Sequence, residues 1–267
     1  MKRLLRYTAW NWSMSRVPAG LLLAVGAAVE CVLLCAAAAM PYLAGAVYNE
    51  LVLSSGILWA VALEYLCIPV FAQFHQLFPG KGTHVSDTVM TLPMRRWQLP
   101  VGRMLATALW LLLGMAVQVL VLLVMWGPVT ALQQSVAAGY FQFDVTARGS
   151  AWWALSGCGL LRLLLPTEGA DLMLVALLVL LPSVLIPTVS VLRGRKRLVA
   201  VLLVLAEQFC VMYLALAVVA GNLAVSQLGT AFFRKTIYLA GGVIMFCGAV
   251  ALLLWGLRAW YRCETAA

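Results

Sequence analysis

The residues best equipped for chemistry fall in two places along this chain. Glu30, Glu64 and Glu207 each lie inside a long apolar run, and residues 86–103, SDTVMTLPMRRWQLPVGR, place an acid, three arginines, two prolines and a tryptophan between two such runs. An ionised acid deep in a bilayer costs about 3 kcal/mol or more unless it is paired or hydrated, so each glutamate should face a cavity or the protein interior. Two uses are open to them. One is a polar patch in a translocation path; the other is protonated acids that bond across helices, with Gln118 and Gln208 as neighbours in the same role.

Other chemistry is missing from the sequence. There is no G-x-x-x-x-G-K-[ST] to cradle a nucleotide. His75 and His84 are the sole histidines, and neither H-E-x-x-H nor C-x-x-C occurs, so no metal site is expected. The string SGCG at 156–159 has the look of a nucleophile turn but lacks a positioned base. Seven cysteines, most of them inside apolar runs, read as small buried hydrophobes. With few, scattered acids, a lipid-modifying membrane enzyme is disfavoured, and no catalytic residue or cofactor is expected here.

Composition sets the frame for these residues. Mean hydropathy is +1.00, 64% of residues are hydrophobic and 10% are charged, against roughly 25% charged in soluble domains. Such a chain is expected to be an integral membrane protein with a single transmembrane domain over 1–267. Six apolar runs, at about 18–46, 51–74, 104–127, 170–192, 198–220 and 237–257, are each long enough for one helical crossing. With both termini inside, fourteen of the eighteen Lys and Arg residues fall on the cytoplasmic side, leaving Arg148, Arg162, Arg234 and Lys235 outside. The net charge of +9 therefore reads as topology and not as nucleic-acid binding.

A seventh span at 151–165 is short, contains Arg162 and would put RGRKR at 193–197 outside, so that segment reads as an interfacial or re-entrant helix on the outer face. RGRKR itself is expected to fix topology, with contact to lipid phosphates or to an ATPase as the alternative. Residues 1–16 suit an amphipathic helix along the cytoplasmic interface, with Lys2, Arg3, Arg6, Ser13 and Arg16 on one arc. That start is too long for a signal-peptide n-region and Glu30 interrupts the run that follows, so no cleavage is expected. Counted from the cytoplasmic ends, Glu30, Glu64 and Glu207 all lie roughly 15–20 Å deep, in one layer.

The segment 86–103 should form a compact elbow. Ser86 or Thr83 can cap a short helix with Asp87 in its first turn, where the helix dipole favours an acid. Pro93 stops that helix, MRRWQ makes a second turn, and Pro100 fits the first turn of the next span. Arg95 and Arg96 then face the cytoplasm, while Val89, Leu92 and Trp97 fasten the elbow to the interface or to a partner.

This order of residues resembles the loop between spans two and three in permease subunits of type 2 ABC exporters. Leu92, Pro93, Arg95, Arg96, Gly102 and Arg103 match that family's pattern in turn, with Arg103 where Lys is usual and Pro100 where an apolar residue is usual. The resemblance extends to six spans, inward termini and an amphipathic N-terminal helix. It implies that the elbow, with Asp87 and Trp97, is a coupling helix docking on a separate ATP-binding cassette subunit. ATP and Mg would be bound by that partner, and a second permease, identical or related, would complete the exporter. The implied location is the plasma membrane of a bacterial cell, in contact with its lipids. The membrane scaffold of an energy-coupling importer is the alternative, though it uses longer cytoplasmic helices.

Overall fold

The computed structural model describes residues 2–73, 77, 98–140, 151–166, 169–189, 195–224, 247–255 and 257–258. Of these, 92% are helical, and no strand occurs among them. Helix α1 spans Lys2–Ala38, and a 3-10 turn at Pro41–Leu43 leads into α2, Tyr48–Ser54, and α3, Ile57–Ala72. Next come α4, Gln98–Tyr140, the short α5, Ala151–Ser156, and α6, Gly159–Leu164. Helices α7, Gly169–Val189, and α8, Arg195–Ala224, follow, and residues 247–255 form α9.

Helix α1 differs from expectation. The interfacial segment and the first span are one continuous helix of 37 residues, about 55 Å long at the usual rise. Pro18 removes one rung of its hydrogen-bond ladder without ending it. The first four turns do not lie separately with an apolar face down. Their buried side carries polar groups, from Tyr7, Thr8, Asn11 and Ser15, while Arg3, Arg6 and Arg16 are exposed. Thr8 Oγ1, Asn11 Nδ2 and Ser15 Oγ each donate to a carbonyl four residues back, at 3.0 Å. Polar groups satisfied in this way can be packed against another helix, and that helix is α4.

Helix α4 is also longer than the apolar run that announced it, passing Gly127 and Pro128 to reach Tyr140. Its extension carries Gln133, whose Nε2 donates to the carbonyls of Leu43 and Ala46 at 2.9 and 3.4 Å and so ties down the turn after α1. The expected second span is a bent pair: α2 and α3 meet at 61° across Ser55 and Gly56. Gly56 has φ +79°, a left-handed conformation that side chains disfavour. The core between α1, α3 and α4 is apolar, with Leu34, Leu51, Ile57, Ile68, Leu111 and Leu122 fully buried.

The segment 151–165 is two helices of six residues each, too short to cross a bilayer. It is not laid on the surface. Leu160, Leu161, Leu163 and Leu164 enter the core while Arg162 stays exposed, and the Gly159 N–H donates to Asn49 Oδ1 at 2.9 Å. A second apolar cluster joins Leu77 to Leu185, Ile186 and Val189 of α7, Val204 of α8 and Leu252 of α9.

Among the described residues two helices, α1 and α4, are long and apolar enough to cross a membrane, and a third crossing is added if α2 and α3 count as one span. The outward faces suit that role, since Leu21, Val25 and Val32 on α1 and Leu120 and Val124 on α4 are all more than half exposed. Gly56→Ala is expected to lower stability by about 1–2 kcal/mol by forcing a side chain into the left-handed region. Thermal unfolding in detergent checks this, and an unchanged midpoint would mean that the bend is not fixed by Gly56.

Candidate functional site

Of the elbow residues, Asp87, Leu92, Pro93, Arg95, Arg96 and Trp97 lie outside the described residues. Gly102 and Arg103 are described, in the first two turns of α4, where Pro100 also sits as expected. Arg103 is not displayed to solvent; it is 4% exposed and turned toward α1, where its Nε donates to the Tyr7 hydroxyl at 3.2 Å. Gly102 lets that ring lie close, because a Cβ at this position would come within 2.5 Å of Tyr7 Cδ1.

The other root of the same connection is held to this point. Gln73, just past the end of α3, donates from Nε2 to Thr107 Oγ1 at 2.8 Å and to the Arg103 carbonyl at 3.5 Å. Thr107 Oγ1 in turn donates to the Arg103 carbonyl at 3.1 Å. Two turns further along, Trp110 stacks on Trp12 with ring centroids 4.0 Å apart, and its Nε1 donates to Ser15 Oγ at 2.8 Å. Tyr7, Gln73 and Thr107 carry no motif, so sequence reasoning missed them. Their one legible signal is a polar residue at the same end of three helices.

The second candidate site lies deeper, where the acids were expected. Glu30 on α1 and Glu64 on α3 converge on Gln118 of α4, whose Nε2 is 2.9 Å from Glu64 Oε2 and 3.5 Å from Glu30 Oε1. The three side chains are 1%, 3% and 1% exposed. Gly26, one turn before Glu30, makes the approach of α3 possible, because a Cβ there would fall 2.7 Å from the Glu64 carboxyl carbon. One carboxamide thus donates to two carboxyls, and no basic side chain joins them among the described residues.

Glu207 is not part of this pair. It is half-buried on α8 and faces Gly248 of α9, at which a Cβ would stand 3.2 Å from its Oε1. Among the described residues no side chain donates to its carboxyl oxygens. Its neighbour Gln208 donates from Nε2 to the Tyr65 carbonyl at 2.7 Å, which places this part of α8 level with Glu64. The three acids thus divide into a pair, Glu30 with Glu64, and Glu207 apart from it.

Among the described residues no group of three His, Cys, Asp or Glu side chains is placed to hold a metal. What the pair with Gln118 can do is bind a proton or a cationic group, since carboxyl oxygens accept and the basic partner that usually neutralises them is missing. Gln118→Leu is expected to cost about 1–3 kcal/mol by leaving two buried carboxyls without their donor, read as a lower unfolding midpoint in detergent. No change would mean that the acids are satisfied elsewhere. No family model, curated protein or solved structure matches this chain.

Proposed function

We propose that the chain is the permease subunit of an ATP-driven exporter, with the connection between α3 and α4 as the element that receives force from a separate ATP-binding cassette subunit. The observation that carries this reading is the clamp at the roots of that connection. Residues 74–97 leave from Gln73 and return at Gln98, and the two stalks are bonded to each other through Gln73, Thr107 and the Arg103 carbonyl. The Arg103 side chain and Gly102 then fix them to α1 through Tyr7. A lever needs a stiff mounting, and a segment anchored at both ends transmits displacement where a free tether would dissipate it.

The sequence between those roots carries Leu92, Pro93, Arg95 and Arg96, which resemble the coupling loop of type 2 ABC exporters. In this reading α7 and α8, of 21 and 30 residues, are the fourth and fifth spans, each long enough for a hydrocarbon core of about 30 Å. A sixth includes α9, and both termini are cytoplasmic. ATP and Mg belong to the partner, a second permease faces this one in the plasma membrane of a bacterial cell, and no reaction is catalysed on this chain. Glu30, Glu64 and Glu207 lie along the path of the cargo.

Affinity purification of the tagged chain in mild detergent tests the reading. An ATP-binding cassette protein should be recovered with it and should cross-link to cysteines placed at Asp87 or Arg95; recovery of no ATP-binding protein would sink the proposal. Charge reversal at Arg95 and Arg96 should reduce that recovery at least severalfold. Tyr7→Phe and Gln73→Leu, which loosen the mounting without altering the elbow, should leave recovery intact and lower substrate-stimulated ATP hydrolysis.

A further inference from the structure

We propose that Glu30, Glu64 and Gln118 form a proton-binding site: the two carboxyls share one exchangeable proton that joins α1 to α3, and its release sets two like charges against each other at that contact. The site stands on its own geometry and asks nothing of an ATPase.

The hydrogen-bonding groups show what is missing. Two carboxyls and one amide oxygen are acceptors, and among the described residues the side-chain hydrogens offered to them are those of Gln118 Nε2. Glu64 Oε1 and Gln118 Oε1 are left buried without a donor, in side chains 3% and 1% exposed. Glu30 and Glu64 nevertheless meet carboxyl to carboxyl. Two carboxyl oxygens in hydrogen-bond contact need a hydrogen between them, so the missing donor is a proton on the pair itself. On Glu30 it donates to Glu64; on Glu64 it has an acceptor in Glu30 or in the orphaned oxygen of the amide that already holds both. Such a proton belongs to the pair and not to either residue.

Size and charge both select the proton. A Cβ on Gly26 would stand 2.7 to 2.9 Å from the three atoms of the Glu64 carboxyl, so the backbone of α1 closes that side and a proton needs no cavity. The titratable groups within electrostatic reach are Cys31 of α1 for Glu30, Cys67 of α3 for Glu64, and Tyr65 of α3 for both. Helix α4 supplies the Gln118 amide, Tyr48 of α2 is committed to the Leu122 carbonyl, and α8 meets α3 here through Gln208, its Glu207 facing Gly248 instead. Thiols and phenols are ordinarily uncharged below about pH 8. No positive charge among the described residues therefore stands by to keep both carboxyls ionised. Without the proton, two carboxylates repel at close range in a medium of low dielectric. Parting α1 from α3, the helices that carry them, relieves that repulsion.

Difference infrared spectra of the full chain, in a detergent without a carbonyl group, test the site between about pH 5 and about pH 9, where ordinary carboxyls stay ionised. The carbonyl band of a protonated carboxyl should be present at the lower pH, shift in D2O and disappear in one step as pH rises. It should be missing from Glu30→Gln, whose carboxamide puts an N–H where the proton would be, and kept in Glu207→Gln. In Glu64→Gln the step should move by about one pH unit or more, a tenfold change in proton affinity, and this variant decides the matter if Glu30→Gln fails to fold. The unfolding midpoint should fall across the same step in the native chain and stay level in Glu30→Gln. No band at the lower pH, a band that persists at the higher, one that is unchanged in both variants of the pair, or one that responds to sodium at fixed pH overturns the proton site. A midpoint that is level through the step overturns the parting of α1 from α3. The chain is measured alone, so failure to recover an ATP-binding partner would remove the exporter and leave this result standing.

Discussion

The seam between α1 and α4 is the contact on which the rest of the molecule depends. It begins with the Tyr7 ring on Gly102 and the Tyr7 hydroxyl under Arg103, continues through the Trp12–Trp110 stack and the Ser15–Trp110 hydrogen bond, and reaches the Glu30–Gln118 contact. Beyond it, Gln133 grips the turn into which α1 runs. Four of these contacts pair buried polar groups, and hydrogen bonds between helices in lipid average about 0.6 kcal/mol each. No single one holds the seam; their spacing along it does.

Helix α3 is fitted against both partners by the same means. Its end is tied by Gln73, and its middle by Glu64 reaching Gln118 past the bare backbone of Gly26. The three helices therefore meet through polar contacts at two levels, separated by apolar packing that includes Ile68 under Gly114. A displacement at the upper level has a defined route to the lower one, because the same three helices carry both. Modest, distributed contacts leave the three helices able to shift against one another, since none is costly enough to lock them.

Much of this was legible in the residues, and the misses have a common cause. The apolar runs announced helices, and the inward orientation of Glu30 and Glu64 followed from the cost of exposing an acid to lipid. The first turns of α1 were misread because amphipathic reasoning places the polar side in water, whereas Thr8, Asn11 and Ser15 turn inward and satisfy themselves on their own backbone. The burial of Arg103 against Tyr7 was not legible either, because a basic residue beside an apolar run is read as facing water. The apolar run ends at about 127, yet Thr130 donates to the Trp126 and Gly127 carbonyls and the helix runs on. The bend at Gly56 was hidden because an unbroken apolar run says nothing of the angle within it. That Gln118 joins two acids from separate helices is a tertiary fact, invisible to spacing along one chain.

The unbroken course of α1 has a mechanical meaning. Tyr7 and Glu30 are 23 residues apart on one helix, about 35 Å along its axis. With no loop between them they cannot be repositioned separately. If α1 rolls so that the Tyr7 ring leaves Gly102, the same rotation swings Glu30 off Gln118, and the two ends behave as opposite faces of a single shaft. A turn imposed on α1 at Tyr7 is thereby delivered to the Glu30 carboxyl at the other end of the same rod.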